Sequence, residues 1–298
     1  MTTDSKYEAF LAEQEQDEWP ARAEIISAFR SLLLEPSVPV STIAKEGMSR
    51  VIAEANPTPE YGDVWSVLLP AVKRFPEQCD RLVEFVVALQ QLPDCNGEFE
   101  YLDGLTIYLT EFTFGYSDHS FNATTRDKER QGFVNANIFT AKLYHRLPRN
   151  RFGLLIGYGW WVLRRTLEYA PWEKFHYPKI EEYIQDIDDD FLYSKARDEE
   201  LEMIDIRSLN GFVPAAAVWI EYCGKEIYMS ETSLGDETPA YDLWKGPAGW
   251  SKARWAFWKE RFELISTFTA LDRKTRRIAK RILEQMGKIE QEEYIRLS

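Results

Sequence analysis

A chain of 298 residues, 45% hydrophobic and 29% charged, is long enough for a sizeable core and too apolar for a disordered protein. Its net charge of −13 at pH 7 argues against general binding to nucleic acid or to an anionic membrane, since both require a basic surface that displaces counterions. Three widely spaced cysteines, Cys79, Cys95 and Cys223, form no CxxC pair and no even-numbered framework, which points to a reducing compartment and away from structural zinc.

The first 20 residues read as an acidic, polar segment without the basic and apolar regions of a secretory signal. A cytoplasmic location is therefore expected. Residues 21–34 place Ile25, Phe29 and Leu32 at helical spacing, and residues 41–55 repeat the pattern through Ile43, Met48 and Val51. After a Pro-containing break, residues 61–75 carry Trp65, Leu68, Leu69 and Val72 on one side of a helix that contains Pro70. Residues 77–92 form a further helix with Leu82, Phe85, Val86 and Leu89 inward. The period weakens between Pro93 and Arg130. Residues 105–110 are β-rich in composition, but an isolated strand has no partner in a helical chain, so helix is the reading there, followed by an irregular loop over 115–125.

The longest apolar segment, Gly132 to Ala170, reads as two helices joined at Pro148. Its most apolar run, Phe152 to Leu163, is shorter than the roughly 18 residues of a membrane span, so no membrane insertion is expected. Residues 178–190 suggest an acidic helix with Ile180, Tyr183, Ile184 and Ile187 inward, followed by a charged surface helix or connector to Asp205. Pro214 fits the first turn of a helix whose stripe is Ala216, Trp219, Ile220, Cys223 and Ile227. Ser251 is a candidate N-cap for a helix with Trp255, Trp258, Phe262 and Ile265 inward, and Asp272 a candidate cap for a last helix to about Tyr294. The expected fold is all-α: residues 21–298 as a single-domain multi-helix bundle or short irregular α-solenoid of antiparallel helix pairs.

Four segments, 135–141, 159–168, 216–220 and the tryptophan-rich 250–262, together resemble a family of uncharacterised, all-helical fungal proteins known only as a domain of unknown function. The resemblance covers roughly residues 60–270. It implies a helical fungal protein, in some members encoded near secondary-metabolite genes, and it assigns no catalytic residue.

Chemistry is sparse. The histidines, His119, His145 and His176, form no HxH or HExxH pattern, so no metal is expected. Asp118 beside His119 in an aromatic loop is the sharpest acid/base pair, against the commoner reading of a surface loop histidine. Asp186, Asp188, Asp189 and Asp190 lack a partner motif for magnesium and read as a solvated acidic face. Gly157 and Gly159 do not form a dinucleotide fingerprint; they imply close approach of another helix or of a ligand. Arg164, Arg165 and Glu168 suit either a buried ion pair, an anion-binding arginine or a solvated polar face. The basic run Arg273, Lys274, Arg276, Arg277, Lys280 and Arg281 reads as a solvated face.

With 14% aromatic residues, the chain either fills wide helix interfaces or lines a cavity. On the second alternative, Tyr158, Trp160, Trp161, Trp219 and Trp258 would hold an apolar small molecule, and Asp118, His119 or Glu168 would move protons in a cofactor-independent cyclisation or isomerisation of fungal secondary metabolism. On the first, the protein is a non-catalytic helical scaffold for a protein partner. Neither alternative requires a cofactor, and the homo-oligomeric state stays open.

Overall fold

The computed structural model describes residues 3–49, 52, 62–93, 98–115, 123–170, 186–203, 205–230 and 243–297. Within these, the fold is all-α, and the described residues contain no strand. No helix among them is long and apolar enough to cross a membrane. The chain divides into two compact units: residues 1–116 with 138–154, and residues 117–137 with 155–298.

The first unit begins with α1 (Thr3–Glu15), inside the acidic, polar segment of the first 20 residues. Three of its side chains, Tyr7, Phe10 and Leu11, recur at helical spacing and are buried, while the acidic residues take the other face. Tyr7 and Phe10 both meet the ring of Phe75 edge-on, at 4.8 and 5.2 Å. Next come α2 (Ala23–Leu34) and α3 (Val40–Gly47), and then α4 (Gly62–Arg74) and α5 (Cys79–Gln90). Their inward stripes, Ile25, Phe29 and Leu32 on α2 and Leu82, Phe85 and Leu89 on α5, follow the predicted period and are buried. The C-terminal carbonyls of α2 find a donor in Arg81. Its Nε reaches the Leu32 oxygen at 2.7 Å, and its Nη2 reaches those of Glu35 at 2.9 Å and Val38 at 3.0 Å.

The aromatic segment is helical as expected: α6 (Glu98–Tyr101) and α7 (Leu105–Leu109), the latter running on into a π-helical turn over Thr110–Phe114. Helix α8 (Ala123–Arg146) starts in the second unit and continues into the first from Ile138. Pro148 then precedes α9 (Arg149–Phe152), the joint predicted there.

In the second unit, α10 (Ile156–Leu167) carries the glycine–tryptophan segment. The expected acidic helix over 178–190 lies mostly outside the described residues, and its end differs from expectation. Residues 187–189 are not helical, and α11 (Asp190–Met203) begins after them. Asp189 is the reason: its carboxylate accepts the Leu192 amide at 2.8 Å, so it starts a helix instead of ending one.

Helix α12 (Leu209–Met229) also begins earlier than Pro214 suggested. A short 3₁₀ turn over Ile206–Ser208, capped by the Asp205 carboxylate on the Arg207 amide, feeds it, so Pro214 lies within the helix. A proline there has no amide hydrogen to give the Asn210 carbonyl, one turn earlier in the helix. Helix α13 (Lys252–Thr267) is capped as predicted, with Ser251 Oγ accepting the Arg254 amide at 3.1 Å. The last helix, α14 (Arg273–Leu297), packs on α12 and α13 through Thr275, Ala279, Ile282, Met286 and Ile289, a spacing of alternating three and four residues.

Candidate functional site

Two places in the fold bring together residue types that bind or react. One, in the second unit, is where the sequence directs attention. Helix α10 crosses α12 at Gly159, where an added Cβ would lie 2.5 Å from Cδ2 and Cε3 of Trp219. Trp219 is fully buried and held in that position by Asn137, whose Oδ1 accepts the indole N–H at 2.6 Å. Asn137 in turn donates to the Phe133 carbonyl at 2.8 Å. The glycine is therefore a packing device, the close approach of a helix that its position implied. Gly157 meets nothing within 4 Å.

Directly after α10, as its C-cap, sits Glu168, with no exposed surface. Arg254, 1% exposed, grips it with both arms of its guanidinium: Nε to Oε1 and Nη2 to Oε2, each at 2.6 Å. The Trp258 indole donates to Oε1 at 2.7 Å, and Arg164 lies 3.6 Å from Oε2. Arg254 also donates to the Gly249 carbonyl and stacks 4.1 Å above the Trp160 ring. Trp160, Trp250 and Trp258 meet edge-on, with centroids 4.8 to 6.1 Å apart. Of the expected binding residues, Trp160 and Trp258 are thus walls of a buried ion pair, and Trp219 belongs to the helix crossing. Trp161 is 40% exposed beside Phe212, and Tyr158 is half-buried. The Glu168 carboxylate has a cation and an indole on its two oxygens and no contact with solvent, an arrangement that suits anchoring better than proton transfer. Asp118 and His119 lie outside the described residues, as does His176.

The other place, in the first unit, has room for a ligand. A half-open cavity of about 400 Å³ lies between α4 and the segment formed by α7 and the π-helical turn. From α4 it takes Trp65, Ser66, Leu69, Pro70, Lys73 and Arg74, whose spacing of four and one defines a single helix face. Tyr108 and Phe112 close the other side, their rings 5.3 Å apart. Each wall is fastened. Trp65 donates its indole N–H to the Asp103 carbonyl at 2.7 Å. Gly104, at φ +76°, passes its backbone against that indole where any Cβ would be strained. Lys73 Nζ donates to the Phe112 carbonyl, tying the π-helical turn to the last turn of α4. A π-helical turn forfeits regular hydrogen bonds and recurs at functional sites. Phe112 itself is 55% exposed at the mouth.

The sequence marks Trp65 and Leu69 as an inward helix face, and does not reveal that the space they face is only partly filled. Arg254 leaves a fainter signal. With Arg261, it occupies the same seven-residue repeat as the buried Trp258 and Ile265, a cation on an apolar stripe that demands a buried partner. Among the described residues, no group of three or more His, Cys, Asp or Glu side chains is placed to hold a metal ion. The Cys79 thiol is buried, which pushes its pKa up to about 11 and leaves it an apolar filler.

A family model described as a protein of unknown function (DUF3632) matches residues 65–262, more than half of the chain. The matched segment runs from the first cavity residue, Trp65, past the Glu168–Arg254 pair to Phe262. No curated protein and no solved structure matches the chain.

Proposed function

We propose that this chain, which belongs to the DUF3632 family of proteins of unknown function, binds an apolar small molecule in the cavity between α4 and the π-helical turn. The observation that carries this reading is the cavity itself, about 400 Å³ lined chiefly by Trp65, Leu69, Pro70, Tyr108 and Phe112. Ligand sites are concave, mostly apolar, and supplied with a few polar groups that set orientation. This one has Ser66, Lys73 and Arg74 in that role.

The rest of the aromatic surplus supports a structural use. Trp160, Trp219, Trp250, Trp255 and Trp258 are all buried against one another, against helices or around Arg254. A cofactor-independent cyclase or isomerase is the catalytic form of the same proposal, and it requires a proton-transfer group within reach of the bound molecule. A cytoplasmic setting in fungal secondary metabolism belongs to the proposal as well, as the place where a ligand of this class would be sought.

Phenylnaphthylamine, a neutral aromatic dye that brightens in apolar sites, provides the test. Saturable binding at one site per chain is expected. Leu69→Trp, which puts an indole into the cavity, is expected to weaken it at least tenfold while the helical circular dichroism stays unchanged. Binding that ignores this substitution, or no saturable binding at all, would overturn the reading.

A further inference from the structure

Helix α4 carries a proline in its interior, and the consequence falls on the cavity. Pro70 has no amide hydrogen to give the Ser66 carbonyl, one turn earlier. A helical carbonyl points along the axis toward the amide four residues on, so the place left open lies between Ser66 and Pro70. Both residues line the cavity. Its wall therefore includes a backbone acceptor that the regular helical pattern leaves without its donor.

The donors nearby are already engaged. Trp65 gives its indole N–H to the Asp103 carbonyl at 2.7 Å, and the Ser66 hydroxyl gives its hydrogen to the Asp63 carbonyl at 2.9 Å. Lys73 donates to the Phe112 carbonyl, and Arg74 pairs with Glu13 and lies 5.3 Å over the Phe10 ring. Tyr108 holds its hydroxyl against Gly62, one turn before Ser66. A hydroxyl donates and accepts alike, so it sets no preference between the two. What this otherwise apolar site has to spare is an acceptor.

We infer, resting on the reading of this cavity as a ligand site, that its ligand class is the neutral aromatic hydrogen-bond donor: a ring system carrying an O–H or N–H group, as a phenol or an aryl amine does. The rings lie against Trp65, Leu69 and Phe112, and the donor lies against the Ser66 carbonyl. A carboxylate has no hydrogen to offer there and sets its charge against the negative end of the carbonyl dipole. Because Ser66 is exposed at the open side, the bond to a ligand replaces one to water, and its net worth is a fewfold gain in affinity.

Two molecules of one shape separate this inference from the reading it rests on. Phenoxynaphthalene is phenylnaphthylamine with the N–H exchanged for an oxygen, so it keeps the rings and loses the donor. Pro70→Ala restores an amide hydrogen to α4, which the Ser66 carbonyl then takes within the helix. Any change that alanine makes to the shape of the wall acts on both molecules and cancels in the ratio of their affinities. By equilibrium dialysis, the preference for the amine over the ether is expected to fall about threefold or more from the wild type to Pro70→Ala, as the loss of one neutral hydrogen bond implies. Leu69→Trp is expected to weaken both molecules. A ratio that is the same in the wild type and Pro70→Ala overturns the donor class and leaves the apolar site standing. A preference lost instead in Ser66→Ala or Tyr108→Phe places the acceptor on a hydroxyl and overturns the role of the carbonyl. Insensitivity of both molecules to Leu69→Trp overturns the site itself.

Discussion

Glu168 and Arg254 show how much one residue pair can commit. Both are buried, and each alone would be a charge stripped of water. The fork of Arg254 and the indole of Trp258 supply the missing hydrogen bonds, so the pair is tolerated where either member by itself is not. Glu168→Gln is expected to lower stability by about 3–5 kcal/mol in urea unfolding, because Arg254 then keeps its charge without a counter-ion. Replacing both partners by methionine is expected to recover a large part of that loss. If the single variant costs less than about 1 kcal/mol, the pair is not desolvated as placed. The alternatives open at Glu168 in the sequence, ion pair or solvated face, are separated by a partner 86 positions away, which no local pattern can announce.

The crossing of α10 and α12 depends on Gly159 and not on Gly157, although the two look alike in sequence. A glycine inside a helix costs about 1 kcal/mol relative to alanine, so both substitutions would stabilise the helix if nothing else mattered. At Gly159 something else does. A Cβ there meets an indole ring that Asn137 holds in place, and overpacking of this kind costs about 1–3 kcal/mol. Gly159→Ala is accordingly expected to lower the melting temperature and Gly157→Ala to leave it unchanged or raise it by differential scanning calorimetry. The opposite order would mean that α12 is free to move away from α10. Helix ends were more legible than helix contacts. Ser251, Asp189 and Pro148 act within three residues of their own positions, and the sequence marks Ser251 as a cap and Pro148 as a joint. Asp189 falls near the end of the acidic helix expected over 178–190, because a run of aspartates conceals which one is the cap.

On the scale of the whole molecule, charge is the dominant property. The basic stripe of α14 includes Arg273, Lys274, Arg277 and Lys280 on its exposed side, and Arg281 there pairs with Glu221. A net charge of −13 surrounds that stripe with repulsion for any polyanion. No retardation of duplex DNA in a gel is expected even at about 50 mM salt, where phosphate contacts are strongest. Binding that vanished as salt was raised would show the stripe acting against the overall field.

The all-helical class, the spacing of the inward stripes and the starts of most helices are determined by sequence alone, because helical period and capping are encoded within a turn or two. Local polarity hid α1, where only Tyr7, Phe10 and Leu11 reveal a buried face. Tertiary structure decided which of these apolar faces close solidly and which leave space. Trp160, Trp219 and Trp258 pack around a helix crossing and an ion pair, whereas Trp65 and Leu69 face a cavity, although Trp65, Leu69, Trp219 and Trp258 all read as inward positions. Burial is a property of a residue and its period. Emptiness depends on what every other segment fails to fill, and that is settled only when distant segments meet.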